Sequence, residues 1–160
     1  MRTHDHDLVF QGERPDFAGK VLEQLVGQEY RTHDQVYSPH QVFARVEGQW
    51  WRMFADGPML YIQRWERGPE AFAVPEDGMF WPLRDLAREL DLWGEVLHGW
   101  SYGVRNAVPC LTLTLESGLQ ITFFSGNDHA WSDFDVTRWT FSTLPQRTAG
   151  VPDTTSADTP

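Results

Sequence analysis

The chain has 160 residues, a length typical of one domain, and 41% of them are hydrophobic, which is enough for a sizeable core. Its formal net charge of −10 argues against nucleic acid or an anionic membrane surface as a partner, because binding to phosphates requires a basic face. The acidic balance is compatible with a basic protein as partner. The single cysteine, Cys110, excludes an internal disulfide and a cysteine-based zinc site.

Two further features of the composition bear on where the protein acts. The sequence has no apolar run long enough to cross a membrane, and its opening residues lack the basic region and long apolar segment of a signal peptide. We therefore expect a cytoplasmic protein. Lys20 is the single lysine among thirteen basic residues. Because arginine codons are rich in G and C, this composition favours a bacterial genome.

A first helix is predicted over residues 16–26. Apolar residues recur there every four positions, as they do along one face of a helix; they are Phe17, Val21 and Leu25. Asp16 is a suitable N-cap because its side chain can accept a hydrogen bond from the first turn, and Gly27 can end the helix. Residues 28–41 lack this pattern and are predicted to be a loop or an irregular strand.

Residues 42–65 predict three antiparallel strands joined by tight turns. The Glu-Gly pair at 47–48 lies between two apolar runs, as a two-residue hairpin turn does, and the Asp-Gly-Pro sequence at 56–58 interrupts the second run. Side chains alternate across a strand, so each face collects every second residue. One face is apolar and predicts a core; its members are Val42, Ala44, Val46, Trp51, Met53, Ala55, Leu60 and Ile62.

The opposite face of these three strands combines aromatic rings with arginines, and we call it the mixed face. Its members are Phe43, Arg45, Trp50, Arg52, Phe54, Tyr61, Gln63 and Trp65. A helix or a second sheet that covers the face would explain this composition. The alternative is an exposed binding patch, since Trp, Tyr and Arg are enriched at interface hot spots. The candidate binding residues are Trp50, Arg52, Phe54, Tyr61 and Trp65.

A loop and a second helix are predicted after the three strands. Residues 66–80 are rich in turn-forming residues and are predicted to be a loop. The helix is predicted over residues 82–94, where Pro82 suits the first turn and Gly94 can end it. Its buried stripe would consist of Leu83, Leu86 and Leu90.

The clearest hairpin lies in residues 111–124. A two-residue loop would separate the apolar residues of its two strands, whereas a three-residue loop at 116–118 aligns Leu113 with Ile121. This longer loop predicts a left-handed conformation for Gly118, in a type I turn followed by a bulge.

Together these elements predict a single α+β domain over residues 1–144, with about six antiparallel strands and two helices. Strands outside the two hairpins are expected at about residues 96–102 and 136–141. The order of a helix followed by strands occurs twice, which raises the alternative of two pseudo-repeated units. Residues 145–160 are rich in Pro, Thr, Asp and Ala and are predicted to be a disordered tail.

The polar loop at residues 126–135 offers an alternative site, whose candidate residues are Asp128, His129, Asp133 and Asp135. The aspartates can supply oxygen ligands to a calcium ion, although their spacing is not that of an EF-hand. His129 beside Asp128 can form an acid–base pair. The competing interpretation is that Asn, Asp and Ser make turns here.

The opening His4-Asp5-His6-Asp7 resembles, over these residues, the His-rich zinc motif of metallo-β-lactamases. The preceding strand and the later acidic–His pair of that motif are absent. Because a frayed terminus holds ligand geometry poorly, we predict no metal site and no cofactor.

The sequence shows no convergent catalytic set. It has neither a G-x-S-x-G elbow nor a Gly-rich phosphate loop, and Cys110 lies in a predicted strand without an adjacent base. We therefore expect a non-enzymatic protein-binding module, and an immunity-like inhibitor of a basic protein is one concrete form. The alternative is a small-molecule-binding or metal-assisted hydrolytic protein that uses the loop with Asp128 and His129.

Overall fold

The computed structural model describes residues 9–126 and 130–138, in which twelve strands form two sheets. In chain order the elements are β1 (Val9–Gly12), β2 (Leu22–Arg31), β3 (Val36–Val46), β4 (Gln49–Asp56), β5 (Met59–Trp65), β6 (Phe72–Val74), β7 (Met79–Trp81), β8 (Leu83–Asp85), α1 (Leu86–Glu89), β9 (Leu97–Arg105), β10 (Val108–Leu115), β11 (Leu119–Phe124) and β12 (Asp133–Arg138). The expected α+β fold with about six strands is therefore wrong, because the described chain is mainly β. No helix in this part of the chain is long and apolar enough to cross a membrane.

The strands form one large and one small sheet. The larger sheet has eight strands in the order β1-β5-β4-β3-β2-β7-β6, with β8 also paired to β2, and the smaller has the order β12-β11-β10-β9. The pair of β1 and β5 is parallel, and the others are antiparallel. Main-chain hydrogen bonds join β2 to the segment that enters β9, from Leu22 N to Glu95 O and from Leu97 N to Lys20 O, both 2.8 Å long.

The apolar faces of the two sheets pack on each other and form one core. The fully buried side chains include Leu25, Val42, Met53 and Ile62 from the larger sheet and Leu111, Leu113, Ile121 and Phe123 from the smaller. Trp131, which precedes β12, is also fully buried, and its Nε1 donates to the carbonyl oxygen of Pro109 at 2.7 Å. The ring therefore enters the core without leaving an unpaired donor.

The registers predicted from turn chemistry are confirmed in both hairpins. In the larger sheet Ala44 lies opposite Trp51, as the two-residue turn requires. In the smaller sheet Leu113 lies opposite Ile121, and Gly118 has a φ of 95°. Because register decides which residues of neighbouring strands share a face, the apolar set of each hairpin faces the common core.

The helix expected over residues 16–26 is wrong, and β2 begins within this segment. The pairing of β2 with β3 shifts by one residue between Leu22 and Gln24, which is a β-bulge. The extra residue puts Leu22 and Leu25, three positions apart, on the same buried face. Phe17 and Val21 of the predicted stripe precede β2, so their spacing from Leu25 was not that of one helix face.

The helix expected over residues 82–94 is also wrong, because only the single turn of α1 forms there. Leu83 lies in β8, which pairs with the edge of β2 and places Val26 opposite Asp85. The Asp85 side chain then accepts a hydrogen bond from Arg88 N at 3.1 Å and caps α1. Strand pairing satisfies main-chain groups of both strands and overrides the local helical pattern. Without two helices, the pseudo-repeat has no basis.

Two predicted segments lie outside the described residues. They are the tail, residues 145–160, and the His-Asp cluster at residues 4–7. The boundary of the domain at residue 144 therefore stays a prediction.

Candidate binding surface

The mixed face occupies the outer side of the larger sheet, opposite the core. The pairing of β4 with β5 places Trp50 opposite Trp65 and Phe54 opposite Tyr61. Arg52 lies on β4 between these two pairs. The structure thus brings all five candidate binding residues together on one face.

No helix or second sheet covers the mixed face within the described residues, but the segment 66–72 packs on one end of it. A methyl group built on Gly68 would lie 3.1 Å from the indole of Trp50, so the backbone there is in close contact with the ring. Phe43, in the same region, is only 4% exposed, whereas Trp65 is 36% exposed. The mixed face is therefore only partly covered: Phe43 is buried, whereas Trp65, directly opposite Trp50, stays partly exposed.

The guanidinium of Arg52 packs against two aromatic rings of the mixed face. Its Cζ lies 4.5 Å from the ring centroid of Phe54 and 4.6 Å from that of Trp65. Phe54 is in turn stacked on Tyr61, with ring centroids 4.5 Å apart. Cation–π attraction and the stacked pair restrict the orientation of the guanidinium.

A chain of amide side chains holds Arg52 from its other side. Arg52 Nε donates to Gln41 Oε1 at 2.8 Å, and Gln41 Nε2 donates to Gln28 Oε1. Gln28 Nε2 donates to the carbonyl oxygen of Glu70 at 3.0 Å. Burial lowers the pKa of Arg52 from its ordinary value, because removing a cation from water disfavours its charged form.

These side chains line an open cavity of about 330 Å³, which we call the Arg52 cavity. Its apolar wall consists of Phe43, Trp65 and Phe72, and its charged side chains are Arg52, Arg67 and Glu70. Neither arginine forms an ion pair with any carboxylate of the described residues. The cavity therefore combines apolar walls with two guanidinium groups that form no ion pair within the described residues.

A row of rings extends this surface across β6, β7 and β2, and sequence reasoning missed it. Phe72 and Trp81 are stacked with centroids 4.3 Å apart, and Trp81 lies 5.2 Å from Tyr30. Tyr30 in turn lies 5.7 Å from His40. The prediction of a loop at residues 66–80 was wrong, because β6 and β7 lie there and contribute Phe72 and Trp81 to the row. The available signal was a pair of short apolar runs on either side of a Pro-Glu-Asp-Gly turn, which is typical of a hairpin.

His40 is a titratable group whose ring lies near those of Tyr30 and Tyr37, and the charge of Arg52 acts on it. Its Nδ1 is buried and has no hydrogen-bond partner in the part of the chain that the structure describes. Burial lowers the pKa of His40, the charge of Arg52 lowers it further, and Asp56 opposes both effects. His40 is therefore neutral near pH 7.

The alternative polar site is only partly described. Asp128 and His129 lie outside the described residues. Asp133 and Asp135 are exposed on β12, where Asp133 accepts a hydrogen bond from Phe134 N and Asp135 pairs with Arg105 at 3.0 Å. Within the described ranges, no group of three or more His, Cys, Asp or Glu residues is arranged to hold a metal ion.

A second cavity, of about 370 Å³, lies beside the segment that precedes β2. Its lining mixes acidic and basic side chains, and Arg64 there is already paired with Glu13 at 2.9 Å. The Arg52 cavity is the stronger candidate because its arginines have no such pairing.

Comparisons of this chain with protein-family models, with curated proteins and with solved structures give no match.

Proposed function

We propose that this protein is a non-enzymatic binding module that recognises another protein through the mixed face. The observation that carries the proposal is Arg52, which is held between aromatic rings on a partly open surface and has no ion pair with a described carboxylate. An arginine fixed in this way needs little ordering when a partner binds, so more of the contact energy is available for affinity.

The shape of the surface favours a macromolecule over a small ligand. The rings cross six strands, from β6 to β5, and neighbouring strands lie about 4.8 Å apart, so the surface is about 24 Å wide. The side chains along it are the types that dominate protein–protein hot spots: Trp, Tyr and Arg beside other aromatic residues. A partner that covers this width would bury the exposed edge of Trp65 and Phe72 together.

Charge narrows the class of partner. The net charge of −10 repels nucleic acids and other polyanions at long range, while the guanidinium groups of Arg52 and Arg67 attract a single acidic group at short range. Both conditions are met by a neutral or basic protein that presents one carboxylate at its interface. An immunity-like inhibitor of a basic protein, acting in the cytoplasm, is the concrete form of this proposal.

The test joins partner capture with measured affinity. Proteins captured on the immobilised chain are identified and purified, and their affinity is measured for wild type and for Trp65→Ala. We expect Trp65→Ala to weaken binding by about 30-fold, since an anchor tryptophan contributes about 2 kcal/mol or more. Trp93→Ala is the matched control, because Trp93 is 61% exposed and lies outside the surface.

Two results would contradict the proposal. One is an equal loss of affinity in Trp65→Ala and Trp93→Ala. The other is unchanged affinity in Trp65→Ala together with loss of the protein's cellular role in the folded double variant Asp128→Asn/His129→Ala. That result would favour the hydrolytic alternative. On the present proposal this double variant binds the partner as wild type does.

A further inference from the structure

The amide chain beside the Arg52 cavity has a fixed direction. Its far end is the carbonyl oxygen of Glu70, which can only accept, so Gln28 must turn its NH₂ group toward Glu70. The carbonyl of Gln28 then faces Gln41, whose NH₂ group donates to it. The carbonyl of Gln41 is left to face Arg52 Nε, which can only donate. The two ends of the chain thus agree on one arrangement.

This arrangement leaves the outer edge of the guanidinium available. Arginine has five N–H donors, of which the single Nε–H of Arg52 is used by Gln41. The described residues supply no acceptor to its Nη1 and Nη2 groups. Arg52 lines the open cavity, so these groups can donate to an acceptor that enters it.

We infer that the Arg52 cavity is a carboxylate-binding site, which takes an acidic group attached to an apolar side chain of the partner protein. The inference rests on the proposed function for the identity of the partner, but the site itself is a property of this chain. A carboxylate matches the planar edge of the guanidinium with two parallel hydrogen bonds.

A monoanion fits this site better than a phosphate group. Arg67, the other cation, is exposed at the rim, so water screens its charge, and Glu70 adds a negative charge to the same rim. The whole chain carries a charge of −10, which repels a dianion more strongly than a monoanion. The single negative charge of a carboxylate therefore balances the single positive charge of Arg52, which is the partly buried arginine of this cavity.

The apolar part of the ligand follows from the walls of the cavity. Phe72 is 54% exposed and Trp65 is 36% exposed, so an apolar side chain beside the carboxylate can cover both rings. Burial of this apolar surface adds to the affinity that the hydrogen bonds supply. A protein chain supplies the combination either at its C-terminus or at a Glu or Asp residue next to an apolar one.

The site is tested with small probes on the full chain, without any partner. N-acetylphenylalanine has a terminal carboxylate beside a ring, N-acetylphenylalaninamide is its neutral match, and N-acetylglutamylphenylalaninamide has a side-chain carboxylate next to the same ring. Chemical shifts of Arg52 Nε–H and of the Trp65 indole N–H report binding. We expect a saturable shift with a Kd on the order of 1 mM for a carboxylate probe and affinity lower by about tenfold or more for the amide.

The two carboxylate probes distinguish a C-terminus from an acidic side chain as the group that the site prefers. Equal binding of the amide and the acid, absence of any saturable shift, or tighter binding of inorganic phosphate would each overturn the inference. These comparisons use the wild-type chain, so they do not depend on how any variant folds.

Variants then identify the group that binds. Arg52→Gln and Arg52→Lys should each lose about tenfold in affinity for the preferred probe, because lysine lacks the planar edge. Arg45→Gln is the matched control, since Arg45 lies on the same face but pairs with Glu23 at 3.2 Å; its affinity should stay within about twofold of wild type. Unchanged affinity in a folded Arg52→Gln would overturn the inference.

This experiment can fail separately from the proposed function. If carboxylate probes bind but Trp65→Ala leaves partner affinity unchanged, the site exists and the proposed protein interface is wrong. If Trp65→Ala weakens the partner but no carboxylate binds at Arg52, the interface holds and the carboxylate site is wrong.

Discussion

At the scale of single residues, two buried polar atoms, one of them on the mixed face, have no hydrogen-bond partner among the described residues. The buried Nδ1 of His40 and Oε1 of Gln63 have no partner in the described ranges, and Gln63 lies directly opposite Arg52. Such atoms are costly in the interior, and they cluster where a protein has a role other than stability. Gln63 lies beside the arginine on which the binding proposal rests, and the charge of that arginine acts on His40.

His40 gives a prediction about pH. Its pKa is lowered in the folded chain, so below about pH 6.5 the unfolded chain binds more protons at this position. Stability contributed by neutral His40 is therefore present above the unfolded pKa and is lost as the pH falls toward the folded pKa. The free energy of unfolding of wild type should fall relative to that of His40→Phe between pH 7 and pH 5, by at most about 1.4 kcal/mol per pH unit.

The control for His40 is His33→Phe, which changes an exposed histidine on the turn between β2 and β3. The free energy of unfolding of wild type, His40→Phe and His33→Phe is measured with denaturant at several pH values. Equal pH dependence in wild type and His40→Phe would show that His40 is not held neutral by its surroundings.

At the scale of elements, the smaller sheet depends on the inward residues of β10. Leu113 is fully buried in the core, whereas Thr112 is partly exposed and its hydroxyl bonds that of Thr122 at 2.8 Å. Leu113→Ala should lower the free energy of unfolding by about 2–5 kcal/mol through the cavity it leaves. Thr112→Ala should lower it by about 1 kcal/mol, the contribution of one hydrogen bond. Equal losses would mean that both faces of β10 are buried.

The edge strand β1 gives a second prediction at this scale. Gly12 has a φ of 110°, and a methyl group there would lie 1.8 Å from the carbonyl oxygen of Ile62 on β5. Gly12→Ala should therefore separate β1 from β5 and expose the amide of Glu13, which donates to that same oxygen at 3.1 Å. Hydrogen exchange of the Glu13 amide measures the effect.

Gly99→Ala is the matched control for this edge, because Gly99 lies in β9 with open space around its Cα and no positive φ. Its exchange pattern should match wild type away from β9. Unchanged protection of Glu13 in Gly12→Ala would show that the edge adjusts without separating.

At the scale of the whole molecule, one core joins both sheets, and its described members end with Trp131. Residues 145–160 contain few large apolar side chains that could add to this core. Deleting residues 148–160 should therefore leave the thermal midpoint within about 2 °C of wild type. A fall of more than about 5 °C, which is a core-scale loss for a domain of this size, would show that the tail packs on the folded chain.

Turn chemistry was enough to predict the local registers of both hairpins. The turns at 47–48 and 116–118 set which residues face each other, and alternation then set the two faces of each strand, so the mixed face with Trp50, Arg52 and Trp65 could be predicted. These relations involve residues close in the chain, where turn chemistry and side-chain period leave few alternatives.

Contacts between residues distant in the chain replaced the two expected helices and built the Arg52 cavity. The bulge at Leu22 depends on the pairing of β2 with β3, and β8 forms by pairing with the other side of β2, which no local pattern describes. The cavity depends on Gln28 reaching Glu70, 42 residues further along the chain. Local propensity is worth only tenths of a kcal/mol per residue. Main-chain groups left unpaired in the interior are costlier, so distant pairing overrode the local pattern.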